Sequence, residues 1–553
     1  MAPVRLRVNL ILVALTALLA LAAAKALYLA AVDGGKLHRV ALSQQVTHVV
    51  VPALRGPIID RTGLDLAVSE PADDISADPQ LIRDPVGAAQ KIAPILGVIQ
   101  GSLAVKLADR TRGFVYLART VPDATARQVA ALRIAGITLA PSEKRDYPDG
   151  ELAAQVLGTV GIDGQGLAGI EYARDAALHG TNGERRIVSD ALGQSLSITD
   201  ERAMQPGQPV QLTLDAAIQQ RAEGVLASVG AAFTPLRATA IVMDPRDGSL
   251  LAVANWPRVD ANNVAASPSW AHQDFATGFD YEPGSTFKVV AIGGALTDGL
   301  VTPQTPFFLP PQIQVADRTI HDAEARGSET LTVSQILAQS SNVGAIRIGL
   351  TLGGRRFDQW VRAYGFGTPT GVDLPGEERG LVLPFSSYSG SSMGNLPIGQ
   401  GESVTPLQMA TAYSMIANGG VLRPPHIVAA VGGHPTAEPA GHQVLSPTVA
   451  AELRKMLEGV LAPGGTASEI SIPGYRLAGK TGTANKVDPL TGQYSSTQYV
   501  ASFVGFAPAE NPQVLVCVVV DQPQGAIYGT QVAAPAFGQI MSFALPYLKI
   551  PPG

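Results

Sequence analysis

Tyr281-Glu282-Pro283-Gly284-Ser285-Thr286-Phe287-Lys288 is the stretch on which the reading of this chain turns. Pro283-Gly284 breaks whatever precedes it, and Phe287 to Leu296 is apolar and helix-compatible. The stretch therefore places Ser285 at a helix N-terminus, with Lys288 one turn later on the same face. A serine hydroxyl is a poor nucleophile until a neighbouring base takes its proton. A lysine serves as that base only when burial or a second cation lowers its pKa. Backbone N–H groups at the helix start point to where an oxyanion would form. Ser-x-x-Lys alone is a weak pattern, since an ordinary helix start satisfies it. The residues around it give it weight.

Two further short motifs follow in order. Ser340-Ser341-Asn342 comes after the apolar run Val333 to Ala338. Taken alone it is an ordinary helix end, because Ser and Asn favour such positions. Beside a serine nucleophile, Ser340 offers a hydroxyl that passes a proton, and Asn342 an amide that holds a substrate backbone. Lys480-Thr481-Gly482-Thr483 follows a predicted strand, Tyr475 to Ala478. A lysine and two hydroxyls on a sheet edge suit a substrate carboxylate. Gly482 would let an extended peptide come close and add as a strand. Lys480 is also the candidate second cation for Lys288.

The third motif has a competing reading. Gly474-Tyr475-Arg476-Leu477-Ala478-Gly479-Lys480-Thr481 satisfies the phosphate-loop pattern G-x-x-x-x-G-K-S/T. Such a loop must follow a buried strand and open a helix. Here Pro473-Gly474 precedes it, and Val487 to Ser496 reads as a loop, so a nucleotide hydrolase is disfavoured.

The chain has 553 residues, 46% apolar, with a formal charge of −6. That length suggests roughly three domains, and the mild acidity argues against a nucleic-acid partner. Cys517 is the single cysteine, so no intrachain disulfide forms. It lies in Val514 to Val520, which reads as a buried strand with an inert thiol. The histidines form no metal-binding spacing. Arg5 and Arg7 precede an apolar run, Val8 to Val32, interrupted by Lys25 alone. As one helix this run spans a bilayer core of ~30 Å. The arginines predict a cytoplasmic N-terminus and a single-pass membrane protein with its bulk outside the cytoplasm. A cleaved signal peptide is the alternative.

The organisation expected is a cytoplasmic N-terminus (1–7), a transmembrane helix (8–32), a linker (33–47), an N-terminal domain (48–205) and a catalytic domain (206–553). Asp60 to Gly63 reads as a turn between strands. Val86 to Val98 reads as a helix, as does Ile170 to Leu178 in a glycine-rich region. Asp215 is a predicted N-cap for a helix over Ala216 to Ser228. Strands are predicted at Arg237 to Met243, 249–254, 475–479, 499–506 and 513–520. Strands at both ends of a helical middle predict an α+β domain whose terminal strands share one sheet.

With these motifs in place, the chain resembles the class B penicillin-binding proteins, monofunctional peptidoglycan D,D-transpeptidases. The likeness extends to Arg55 to Gly63, Arg145-Asp146-Tyr147-Pro148, Gly158, Gly169-Ile170-Glu171, Gly399-Gln400-Gly401, Val404 to Gln408 and Ala417 to Gly420. Ser340 follows Ser285 by 55 residues and Lys480 follows Ser340 by 140, which also agrees. Thr62, where the family commonly has Asn, and Arg174, where an aromatic is usual, depart from it.

The resemblance implies a penicillin-binding transpeptidase fold, a central antiparallel sheet with helices on both faces, above an elongated N-terminal α+β pedestal and dimerisation domain. It implies that Ser285 attacks the D-Ala-D-Ala carbonyl of a stem peptide. Lys288 acts as base, Ser340 relays the proton and Asn342 positions substrate. Lys480 tunes the charge, while Thr481 and Thr483 hold the terminal carboxylate. The N–H groups of Ser285 and Thr483 form the oxyanion hole. Penicillins would trap Ser285, and no cofactor is implied. Ala254-Asn255-Trp256-Pro257, Tyr281 to Gly284, Ile527-Tyr528-Gly529 and Val532 to Pro535 resemble the septal, division-specific type, with a septal glycosyltransferase and other division proteins as implied partners. An elongation-type enzyme is the alternative. A β-lactamase or β-lactam sensor shares the motifs but gives residues 48–205 no task.

Overall fold

The computed structural model describes residues 2–33, 46–189, 195–488 and 490–552; most of the expected linker lies outside them. The chain divides into two compact units, Met1–Leu54 with Pro71–Glu143 and Gly180–Pro206, and Arg55–Glu70 with Lys144–His179 and Gly207–Gly553. The last segment of the second unit begins at Gly207, one residue past the start expected for the catalytic domain. The second unit also takes two segments from the expected N-terminal domain.

In the first unit, Ala2–Tyr28 is one α-helix, continued by a π turn over Leu29–Asp33. From Arg5 to Ala31 it is long and apolar enough to cross a membrane, and none of it is buried. Val46–Val51, Gly183–Ser189 and Ser195–Arg202 make a three-stranded antiparallel sheet. A separate core of Ile75, Ile92, Leu107, Leu117 and Val129 lies under helices Pro85–Leu96, Gln100–Ala108 and Asp123–Ala131. The first of these helices is the one predicted at Val86 to Val98. Asp84 Oδ1 accepts from Gly87 N at 2.9 Å to start it, and Gly97, at φ 66°, ends it.

The second unit is built on five antiparallel strands: β1 (Arg237–Met243), β2 (Leu250–Trp256), β3 (Ala478–Val487), β4 (Tyr494–Ala507) and β5 (Val514–Asp521). Their order is β2-β1-β5-β4-β3, so strands from both ends of the segment share one sheet, as predicted, and β3 is an edge. Helices α1 (Ala216–Phe233), α2 (Lys288–Thr297), α3 (Asn342–Leu352), α4 (Pro406–Ala417) and α5 (Gly529–Tyr547) belong to the same unit. Successive β5 residues feed opposite cores. Val514, Val516, Val518 and Val520 pack into the α1/α5 side, and Leu515, Cys517 and Val519 into the side of α2 and α4. A strand covered on both faces reads as an unbroken apolar run, which is why 513–520 was legible. Cys517 is buried, and burial pushes its thiol up to about 12.

The sequence placed three boundaries differently. Helix α1 starts behind the Asp215 cap as expected but runs on to Phe233. The predicted strand over 475–479 is shifted, and β3 contains the whole Lys480-Thr481-Gly482-Thr483 motif. Residues 494–496, read as loop, already belong to β4, with Tyr494 opposite Val487. The polar run Tyr494 to Gln498 looks like a loop, yet β-branched and aromatic residues tolerate a half-exposed strand whose backbone is paired. Because Gly479 and Lys480 lie in a strand and open no helix, the phosphate-loop reading has no structural counterpart.

The N-terminal residues that carried the resemblance form a buried polar cluster within this second unit. Glu171, fully buried, accepts from Arg55 Nε at 2.5 Å and Arg145 Nε at 2.7 Å, and Arg55 Nη1 reaches Asp175 at 2.6 Å. Asp60 closes the predicted turn by accepting from Thr62 N and Leu64 N. Thr62 also donates its hydroxyl to Asp60 at 2.7 Å, and Arg174 pairs with Asp373 at 3.0 Å, so both departures from the family pattern are accommodated. The predicted helix over Ile170 to Leu178 is two short helices, Gly169–Ala173 and Asp175–Leu178.

Candidate active site

Ser285 lies in a single 3-10 turn, Gly284–Phe287, that leads into α2. Its neighbours Gly284, Thr286, Phe287 and Lys288 are buried, while Ser285 itself is partly exposed. The turn is fixed from several sides. Gly284 N donates to Gly399 O at 3.0 Å, and Tyr413 Oη donates to Thr286 O at 2.8 Å. Phe287 packs on Phe366 with ring centroids 4.9 Å apart. Gly284, at φ 57°, needs its freedom, and a side chain there would also strike Thr483 O. A Cβ on Gly482 would lie 2.2 Å from Ser502 Oγ and 2.9 Å from Pro283 O. The structure thus gives this glycine a role that sequence reasoning did not: it lets the Pro283–Thr286 segment close on β3.

Lys288 is fully buried at the start of α2. Its Nζ donates to Ser340 O at 2.6 Å, Ser340 Oγ at 3.2 Å and Asn342 Oδ1 at 2.8 Å. Burial, then the charge of Lys480, push its pKa well below the ordinary lysine value, against the opposing pull of Asp322. Among the charges around Lys288, that of Lys480 acts most strongly. Lys480 is itself fully buried, which lowers it to about 7, and its Nζ donates to Thr481 O and Oγ1, both at 3.2 Å.

Ser340-Ser341-Asn342 is a link between two helices. Val333–Ala338 ends, Ser340 takes φ 60°, and Ser341 caps α3 by accepting from Gly344 N at 3.0 Å. The amide of Asn342 is used at both ends, Oδ1 by Lys288 and Nδ2 by His321 O at 3.1 Å. It orients the lysine here, and each end keeps a second hydrogen-bonding position.

Thr481 Oγ1 lies 3.2 Å from Thr466 Oγ1, and Thr483 Oγ1 accepts from Gly529 N at 3.0 Å. Both threonines sit on the edge strand β3, against which the Ser285 turn packs. The arrangement can do three things. It exposes one hydroxyl on a rigid turn, keeps a buried amine of depressed pKa three residues on, and presents an edge with hydroxyls in front of a second, buried amine.

Sequence reasoning missed Asp322, buried, whose carboxylate accepts from Ser341 Oγ at 3.0 Å, from Val343 N at 3.0 Å and from Asn342 N. Arg326 Nε pairs with it at 3.1 Å. Its only local sign is an acid after the short strand Arg318–His321, which gives no hint of a helix 20 residues later. It also missed Tyr413 and the two contacts of Glu282, whose Oε1 accepts from Gly401 N at 3.0 Å and Tyr494 Oη at 3.1 Å.

Fold and site together define the class of a serine acyl-transferase, with a serine on a partly exposed turn, a buried lysine three residues on and an edge strand carrying two threonines. Residues 238–542 match the family model for the penicillin-binding protein transpeptidase domain, and residues 50–212 that for the penicillin-binding protein dimerisation domain. The chain is 33% identical to peptidoglycan D,D-transpeptidase FtsI of Escherichia coli K12, over 91% of this chain and 85% of that protein. It is 31% identical to stage V sporulation protein D of Bacillus subtilis, over 95% of this chain and 83% of that protein. The crystal structure of penicillin-binding protein 3 of Mycobacterium tuberculosis with ampicillin superposes with a TM-score of 0.72 at 30% identity, covering 91% of this chain and 97% of that one. The chain belongs to the class B penicillin-binding proteins and is a serine-type peptidoglycan D,D-transpeptidase.

Proposed function

We propose that Ser285 is the nucleophile of a transpeptidase that cross-links stem peptides at the division septum. The observation that carries the site assignment is the state of Lys288: buried, depressed in pKa, and bonded to both Ser340 and Asn342. A neutral Lys288 takes the Ser285 proton as Oγ attacks the D-Ala-D-Ala carbonyl. Ser340 Oγ, in contact with Nζ, passes a proton to the departing D-Ala amine. The N–H groups of Ser285 and Thr483 receive the oxyanion, and Thr481 and Thr483 the terminal carboxylate, with Gly482 between them and Lys480 behind. An amine from a neighbouring strand then resolves the acyl-enzyme. Penicillins acylate Ser285 by the same route.

The septal assignment is supported by Ala254 to Pro257, Tyr281 to Gly284 and Ile527 to Gly529, together with the identity to FtsI. The helix Arg5–Ala31 anchors the chain in the cytoplasmic membrane, with the arginines inside and the transpeptidase domain outside. A septal glycosyltransferase and other division proteins are its partners. The test is fluorescent penicillin labelling of the full chain together with imaging of a fluorescent fusion. Labelling with a midcell band supports the reading; a lateral-wall pattern overturns the septal part.

A further inference from the structure

The reaction has two substrates of opposite charge. The donor peptide brings a carboxylate, which suits a site holding Lys288 and Lys480. The acceptor brings a primary amine, protonated near neutrality, which Lys480 repels wherever it is itself protonated. A carboxylate beside Ser285 with unused acceptor capacity would offset that repulsion.

Among the described residues near the three motifs, Asp322 is already engaged by Ser341, Asn342, Val343 and Arg326. Glu402 has two unpartnered oxygens, but its charged and titratable neighbours are Asp358, Arg362 and Tyr388. Glu282, three residues before Ser285, differs from both. Oε1 accepts from Gly401 N and Tyr494 Oη, while Oε2 is buried with no hydrogen-bond partner. A carboxylate has about four lone-pair positions, and a buried oxygen without a donor costs stability unless it serves a purpose. Of the two donors on Oε1, Gly401 N is fixed backbone. Tyr494 is a partly buried side chain on the first residue of β4, so it is the partner that can give way.

We propose that Glu282, three residues before the acylated Ser285, is the binding residue for the ammonium group of the acceptor peptide, received at its carboxylate as Tyr494 gives way. The proposal rests on the transpeptidase reading of the site and adds the acceptor's place in it. Burial, which raises the pKa of Glu282, is consistent with a carboxylate lacking its cation.

The test uses the full chain in detergent, with Glu282→Gln. The amide keeps an oxygen for Gly401 and Tyr494 but loses the charge. The wild-type chain is first labelled with fluorescent penicillin; no labelling would overturn the underlying transpeptidase reading itself. In Glu282→Gln, penicillin acylation falls less than about threefold, whereas transfer of the acyl group from a thioester donor to added D-alanine or glycine falls about tenfold or more, with a raised KM for the amine. Hydrolysis of the same acyl-enzyme stays within about twofold. Tyr494→Phe lowers neither acylation nor transfer by more than about threefold. Acylation and transfer falling together in Glu282→Gln would overturn the proposal and leave Glu282 as a brace for the Ser285 turn. Transfer with an unaltered KM for the amine would overturn it outright.

Discussion

Lys288 Nζ donates to the backbone carbonyl of Ser340 at 2.6 Å, and Ser340 is a non-glycine residue at φ 60°. The left-handed conformation is costly for a serine. Here it brings both the carbonyl and the hydroxyl of one residue to the same amine, the hydroxyl at 3.2 Å. The carbonyl holds the lysine, and the hydroxyl is free to exchange a proton with it.

Ser340→Ala separates these two roles. The carbonyl still holds Lys288, so the fold is kept, with Tm within about 2 °C of wild type. Penicillin acylation, followed by stopped-flow fluorescence, falls by about 10²-fold or more because the proton path is cut.

The two lysines set the pH dependence. Lys288 acts as base only when neutral, so acylation rises with pH as Lys288 loses its proton, and its lowered pKa moves that rise below the range of a free lysine. Lys480 is one cause of the lowering. Lys480→Met therefore moves the rising limb to higher pH, in addition to weakening carboxylate binding. A shift of the limb to lower pH would contradict this coupling.

Lys480 also carries a stability cost. Its folded pKa is about 7, below that of the unfolded chain, so the unfolded state binds more protons between pH 7 and the ordinary lysine value. The cost is full below pH 7 and relieved as pH rises above it. Lys480→Met raises Tm at pH 6 by more than at pH 9, as scanning calorimetry would show, while acylation slows.

Asp322→Ala removes the carboxylate that gathers Ser341 Oγ, the first backbone N–H groups of α3 and Arg326. The expected loss is about 2 kcal/mol of stability, read from denaturant unfolding. Acylation slows by about tenfold, because Asn342 no longer holds Lys288 in place.

How much of this was legible depended on how local each signal was. The β5 run Val514 to Val520, the Asp215 cap and the Pro283-Gly284 break carry their structure in adjacent residues, and all three appear where the sequence placed them. The three motifs were legible as types and spacing, and the structure joins Lys288 to Ser340 and Asn342 directly. Asp322 was not, because its partners lie about 20 residues away and nothing near it marks a cap for a later helix. The packing role of Gly482 was not legible for the same reason. The atoms that exclude a Cβ there belong to Ser502, Pro283 and Thr286, distant in sequence from the strand that carries the glycine.

Gly482→Ala tests that packing. Its Cβ would meet Ser502 Oγ at 2.2 Å and Pro283 O at 2.9 Å, so the Ser285 turn must move away from β3. The expected result is a stability loss of about 1–3 kcal/mol and an acylation rate at least about tenfold lower. Gly224→Ala, in α1 with open space around its Cβ, leaves acylation unchanged.

The most direct measurement is mass-spectrometric mapping of the penicillin adduct on the full chain. The account predicts one adduct per chain, on the peptide containing Ser285, persisting over many minutes and absent in Ser285→Ala. An adduct on another residue, or labelling that survives Ser285→Ala, would contradict it.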